Sequence, residues 1–210
     1  MRVLVLAPHP DDETIGCGGS ILLHAKKGDR VSVVFLTSGE LGLRHLPRKS
    51  AWAVREAEAK RASRLLRLKR VSFFRCSDWG LSEQISKAAR QLATVLKKEK
   101  PVLLYLPHPE DGHPDHKAAL PIVRQALKNF PTDSLMLRFY EVWTPLANYN
   151  EVNDITSIMK RKLKALRTHK SQLNDFDYVR AVTGLNQYRG ALAAKTQFAE
   201  VFTEISACQL

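Results

Sequence analysis

Short apolar runs alternate with helix-length segments through residues 2–129, and this alternation constrains the fold more than any other feature of the chain. Arg2–Ala7 is rich in Val and Leu and stops at Pro8; Val31–Leu36, Val71–Phe74 and Val102–Leu106 repeat the pattern, the last again ending at a proline. Runs of this length that are apolar throughout read as strands buried on both faces. Between them, Thr14–Lys27 stops at Gly28, as a helix with a glycine beyond its last turn does. Ala51–Leu68 carries strong helix formers with apolar positions at helical spacing. Ser82–Lys100 is amphipathic and is ended by Pro101, and Pro114–Asn129 supplies a fourth helix. Thr37–Ser50 is polar and contains Gly and Pro, which reads as a loop. Regular strand–helix alternation predicts an α/β fold: a doubly wound, Rossmann-like, mostly parallel sheet with helices on both faces. Further on, Leu135–Trp143 reads as a strand, Ile158–His169 as a charged amphipathic helix and Ala191–Phe202 as a helix. No linker or internal repeat interrupts the 210 residues, so a single domain, 1–210, is expected.

Two clusters of metal-binding side chains sit directly after predicted strands. The first, Pro8-His9-Pro10-Asp11-Asp12-Glu13, follows the first strand; the second, Asp111-Gly112-His113-Pro114-Asp115-His116, follows the fourth. In a doubly wound sheet of order 3-2-1-4-5 these two strands are neighbours. Their carboxyl ends open on the crevice at the topological switch point, where ligands bind. His9, Asp12 and His116 would together give two imidazole nitrogens and one carboxylate oxygen, a donor set suited to catalytic Zn2+. Asp11 and His113 remain as groups able to move protons. The bland alternative for the acidic residues is helix capping and complementation of the helix dipole. Gly16, Gly18 and Gly19 do not have dinucleotide-fingerprint spacing and read as a close-packing turn.

Charge narrows the partners. Lys and Arg number 33 against 21 Asp and Glu, a formal net charge of +12. The surplus favours an anionic ligand or surface, yet it is spread along predicted helices, with no basic tail and no interleaved aromatics. Nucleic acid is therefore not expected. Three cysteines, Cys17, Cys76 and Cys208, match no zinc-ribbon or redox spacing. No run approaches the ~20 apolar residues of a membrane span, and Val3–Ala7 is shorter than the ~7–15 residues of a signal-peptide core. A cytoplasmic protein is expected, its oligomeric state left open, homo-oligomers included.

The two histidine clusters resemble the signatures of the LmbE-like, or PIG-L-type, deacetylases. Thr37-Ser38-Gly39-Glu40, Arg55-x-x-Glu58, the stretch from Lys162 through His169-Lys170-Ser171-Gln172, Tyr188-Arg189-Gly190 and Ala199-Glu200-Val201-Phe202 extend the likeness along nearly the whole chain. The resemblance implies a zinc-dependent N-deacetylase that removes acetyl from an N-acetylglucosamine-type conjugate, with an anionic conjugate favoured by the charge balance. It implies zinc at His9, Asp12 and His116, Asp11 as general base, and His113 at the oxyanion and leaving amine, oriented by Asp115. Arg55 and Asp78 would contact the sugar or its aglycone. No tyrosine stands beside the second signature, where some members place one near the oxyanion. The rival readings are an amidase acting on a larger sugar-amide or thiol conjugate, a non-haem iron oxygenase and a non-catalytic Rossmann-like binding protein. The aglycone is not fixed by fold or motif.

Overall fold

In a computed structural model describing residues 1–210, β1 (Arg2–Ala7), α1 (Asp12–Lys26), β2 (Arg30–Thr37), α2 (Arg48–Leu66), β3 (Arg70–Cys76), α3 (Ile85–Glu99), β4 (Leu103–Pro107), α4 (Pro114–Leu127) and β5 (Met136–Tyr140) follow one another as the alternation predicts. One sheet of seven strands results, in the order β3-β2-β1-β4-β5-β7-β6, so the expected 3-2-1-4-5 arrangement forms its parallel part. β7 (Ala199–Ser206) runs antiparallel to both β5 and β6 (Glu151–Asp154).

The uniform apolarity of the strands follows from this architecture, because each must satisfy two cores. Val3, Val5 and Ala7 of β1 pack with Ile21 of α1 and with Ala59, Ala62 and Leu66 of α2. Leu4 and Leu6 face the other way, onto Leu92 and Leu96 of α3 and Ile122 and Val123 of α4. Each of the Val, Leu and Ile side chains contributes roughly 1.5–3 kcal/mol on burial.

The glycines after β1 lie inside α1 and serve close packing. A Cβ on Gly16 would come within 2.2 Å of the Tyr140 ring, and one on Gly19 within 2.6 Å of Ile155. Helix α1 breaks at Cys17 (φ −140°, ψ 18°). The break frees the backbone N–H groups of Gly19 and Ser20, and both donate to the carboxylate of Glu200 on β7 at 2.7 Å. Lys162 of α5 (Met159–Leu166) donates to the same carboxylate at 2.7 Å in full burial.

The last third departs from the sequence reading. Ala191–Phe202 is not a helix: a single π-helical turn covers Gly190–Ala194, Lys195 turns left-handed (φ 53°), and β7 begins at Ala199. The physical reason is a period of two. Phe202 packs beside Tyr105 on one face of the sheet and Ile205 onto the opposite core. Strand β6 and helices α6 (Lys170–Leu173) and α7 (Tyr178–Arg189) have no counterpart in the sequence reading. No helix is long and apolar enough to cross a membrane.

Candidate active site

Parallel strands of one sheet all present their carboxyl ends on the same edge, and the loops there bring the two clusters together. His9 and Asp11 follow β1, and Asp12 opens α1. Asp111 and His113 follow β4, and Asp115 and His116 lie in the first turn of α4, with Pro114 as its first residue. Asp12 is the hub. Its Oδ2 lies 3.2 Å from His9 Nδ1 and 3.3 Å from His116 Nε2, and it also accepts the His9 N–H at 2.8 Å. Ring nitrogens of His9, His113 and His116 also fall within 4.8 Å of one another.

Each of the two histidines beside Asp12 meets a carboxylate through its other nitrogen. His116 Nδ1 is 2.9 Å from Asp111 Oδ1; His9 Nε2 is 3.1 Å from both Asp115 Oδ2 and Asp78 Oδ1. Carboxylates in this position fix the tautomer and orientation of metal-ligating imidazoles. Three expected site residues have further contacts within the protein. Asp115 does not orient His113 through its carboxylate: only its backbone N–H reaches His113, at Nδ1, 3.1 Å away. Asp78 borders the pocket, but its carboxylate holds His9 and accepts the Leu41 N–H at 2.9 Å. Arg55 is buried at the pocket wall; its Nη2 donates to Pro10 O at 2.7 Å and to Asp11 Oδ2 at 3.3 Å, while its Nε has no hydrogen-bond partner.

Asp11 occupies a backbone region unusual for a side-chain-bearing residue (φ 131°, ψ −29°). Its N–H is anchored on Glu13 Oε2 at 3.1 Å, and the N–H groups of Thr14 and Ile15 anchor its carbonyl. Strain of this sort gathers at functional sites. Burial, opposed by Arg55 and reinforced by Asp12, raises the Asp11 pKa to about 7. For His116, burial works against protonation, but Asp12 and Asp111 prevail and raise it to about 9. Burial, then the charges of His9 and His116, push His113 down to about 4.

A cavity of about 590 Å³ opens over the cluster, within the range of roughly 300–1,000 Å³ typical of ligand pockets. His9, Asp11, Asp12 and His113 form its floor, with Arg44, His45, Trp79, Trp143, Gln172, Phe176 and Tyr178 around them. Gln172 and Tyr178 come from α6 and α7, so the sequence reading had no element on which to place Tyr178. For Gln172 the signal was the Ser171-Gln172 likeness. Asp111 was visible as a motif position, but nothing in spacing showed which histidine it would meet.

Fold and site together define an α/β protein with a buried histidine–carboxylate centre, built to hold a metal at the switch point of its sheet. The chain belongs to the PIG-L, or GlcNAc-PI de-N-acetylase, family, whose sequence model matches residues 4–127. It is 31% identical to a diacetylchitobiose deacetylase of Thermococcus kodakarensis, over 81% of this chain and 70% of that one. It is 32% identical to a probable N-acetyl-alpha-D-glucosaminyl L-malate deacetylase 2 of Bacillus anthracis, over 81% of each. The structure is similar to that of an N,N'-diacetylchitobiose deacetylase from Pyrococcus horikoshii, with a TM-score of 0.84 and 25% identity, covering 97% of this chain and 83% of the other.

Proposed function

We propose that the protein is a zinc-dependent hydrolase that removes the acetyl group from an N-acetylglucosamine-type conjugate, releasing acetate and a free amine. The observation that carries the reading is the Asp12 carboxylate seated between two histidines, each backed by a carboxylate through its other nitrogen. His9 Nδ1, Asp12 Oδ2 and His116 Nε2 are the proposed ligands. They fit: His116 Nε2 is buried without a hydrogen-bond partner, and two imidazole nitrogens with one carboxylate oxygen is a donor set of catalytic zinc sites. His113 is left out of the set because its Nδ1 accepts the Asp115 N–H and no carboxylate stands behind it. When bound, zinc would lend Lewis acidity to the acetyl carbonyl and to water, whose pKa it lowers to about 7.

The chain's own residues supply the rest. Asp11 takes the proton of the attacking water at its carboxylate, which Arg55 steadies from 3.3 Å. His113, with Nδ1 committed as an acceptor, carries its ring proton on Nε2 and donates it as a hydrogen bond to the developing oxyanion, while the proton taken up by Asp11 passes on to the leaving amine. Donors held in place before charge develops are usually the largest single contribution to such catalysis. Asp78 and Asp115 fix the His9 ring, and Asp111 fixes that of His116. With Arg55 engaged on Asp11, the exposed cation left to meet an anionic aglycone at the pocket is Arg44.

The test is an acetate-release screen of purified, zinc-loaded protein against N-acetylated amino-sugar derivatives, with His116→Ala alongside. The variant is expected to lose most of its metal and nearly all activity. Full zinc occupancy in His116→Ala would refute the ligand assignment, and no acetate from any substrate would refute the reaction.

A further inference from the structure

Arg189 closes α7, and the reaction leaves it unused. It is only 6% exposed. Gly190, next along the chain, lets the approach to β7 cross the helix end: a Cβ there would lie 2.7 Å from Phe198 N and Thr196 O. The Arg189 guanidinium meets the Glu141 carboxylate, itself 5% exposed, at the start of the segment joining β5 to β6. Tyr149 and Tyr188 lie against the guanidinium, which is 5.2 and 5.5 Å from their ring centroids. Burying two opposite charges is unfavourable unless the pair is well hydrogen-bonded, so the further bonds of this pair show what it is kept for.

Those bonds close a loop. Nη2 of Arg189 donates to Glu141 Oε1 and, at 2.7 Å, to Leu146 O, while the Leu146 N–H donates to the same glutamate oxygen at 2.7 Å. Residues 141–146 are therefore pinned at both ends. Between the ends, Trp143 and Thr144 turn their backbone to the second histidine cluster. Their N–H groups donate to Asp111 Oδ2 at 2.9 and 3.1 Å, and Thr144 Oγ1 accepts the Gly112 N–H at 2.9 Å. The Thr144 carbonyl meets His108 Nε2 at 2.7 Å. That leaves Asp111 Oδ1 for His116 Nδ1 and the His113 N–H, both at 2.9 Å.

Resting on the metal-centre reading above, we propose that Arg189 and Glu141 are positioning residues: they hold segment 141–146 in the form that fixes Asp111, and through Asp111 they keep His116 Nε2 aimed at the ion. Neither residue lines the pocket over the site. The physical link is the rotation of one carboxylate. With two donors on each oxygen, the Asp111 group cannot turn about its own axis without breaking bonds at both oxygens. If segment 141–146 lets go, Oδ2 loses both donors and the group is free to turn. His108 is then a competitor, since its Nε2 already lies 3.8 Å from Asp111 Oδ2 and would lose its contact with Thr144 O. A turned Asp111 no longer fixes the tautomer and orientation of His116, which a metal-ligating imidazole requires.

Zinc affinity is measured by chelator competition in wild type, in Arg189→Met, and in Arg189→Met combined with Glu141→Gln, which strands no buried carboxylate and so serves if the single variant folds poorly. Both variants are expected to bind zinc about tenfold more weakly, the lower end for losing support behind a metal ligand. Arg138→Met is the control. It breaks ion pairs of β5 with Glu151 and Glu204, away from the loop, and should leave zinc affinity within about twofold. The decisive comparison is made in an Asp111→Asn background. A route through Asp111 requires that Arg189→Met then weakens zinc by less than about twofold more. Unchanged affinity in both Arg189 variants overturns the proposal. So does an equal loss in Arg138→Met, and so does a loss of about tenfold that persists beside Asp111→Asn. Hydrogen exchange of the zinc-free protein follows the same route without metal or turnover. The N–H groups of Gly112, Trp143 and Thr144 should exchange faster in both Arg189 variants and at wild-type rates in Arg138→Met; wild-type rates in the Arg189 variants overturn the clamp. Failure of the wild type to bind zinc would fall instead on the metal reading, and exchange would still decide the clamp.

Discussion

Asp111→Asn separates a carboxylate that tunes a metal ligand from one that merely caps a loop. Asp111 Oδ1 meets His116 Nδ1 at 2.9 Å and accepts the His113 N–H at 2.9 Å, while Oδ2 accepts the N–H groups of Trp143 and Thr144 at 2.9 and 3.1 Å. Asparagine keeps the shape but has one acceptor oxygen. If its oxygen faces His116, its NH2 confronts the two donors of the Trp143 loop. If its NH2 faces His116, Nδ1 must accept, the ring proton moves to Nε2, and that atom can no longer bind a metal. Either orientation costs. The loss of a group behind a metal ligand typically lowers affinity by 10–100-fold, which is about 1.4–2.7 kcal/mol. Zinc affinity is measured by competition with a chromogenic chelator and thermal stability by calorimetry on the zinc-free protein. The expected result is zinc binding weakened by at least about tenfold, with acetate release lowered at subsaturating metal. Zinc affinity within about twofold of wild type, a difference of only ~0.4 kcal/mol, would refute the reasoning.

Further expectations concern neighbouring groups. Asp11→Asn should keep its zinc and bind substrate but turn over at least ~10²-fold more slowly, whereas Asp12→Asn should weaken metal binding. Zinc content and rates at saturating metal read both, and zinc loss in the first with retention in the second would reverse the two roles. Lys162→Met strands the buried Glu200 carboxylate and should cost about 3–5 kcal/mol in urea denaturation; a loss below about 1 kcal/mol would show that the pair is not held as described. His169 is fully buried with neither ring nitrogen hydrogen-bonded, Glu13 Oε1 lying 4.0 Å from Nε2, and burial, then Arg55, pushes its pKa down to about 3. Below its ordinary value near 6.5 the unfolded chain binds a proton that the folded protein refuses, so stability falls with pH by up to about 1.4 kcal/mol per unit from this residue alone. The slope of stability between pH 6 and 4.5, compared for wild type and His169→Asn, should flatten in the variant, and an equal slope would count against it.

The sheet and its switch point were legible because apolar runs punctuated by Pro8, Gly28, Pro101 and Pro107 leave few alternatives. The convergence of His9, Asp12 and His116 followed from strand order alone. What stayed hidden depended on side-chain direction. Whether Asp115 turns toward His9 or His113, and whether Arg55 reaches Asp11 from the pocket wall, are matters of rotamer and loop path that spacing does not encode. The C-terminal third failed differently. Ala191–Ala194 are strong helix formers, and local preference suggested a helix reaching Phe202, but pairing of Ala199–Ser206 with β5 and β6 overrides it. Trp79 looked ordinary in sequence, and only its left-handed backbone, φ 61°, shows that the position would suit glycine.

The carboxylate of Glu200 caps a backbone N–H that was made 181 residues earlier, inside α1. A growing chain emerges at roughly 5–20 residues per second, so the interval between making Gly19 and making its cap is on the order of 10–40 s. Throughout that time the freed N–H groups beyond Cys17 have no partner from their own neighbourhood. The helix that carries Asp12 therefore cannot be settled by whichever part of the protein is synthesised first. A half-made chain holds Asp12 at the start of a helix whose second half still lacks the carboxylate that caps it.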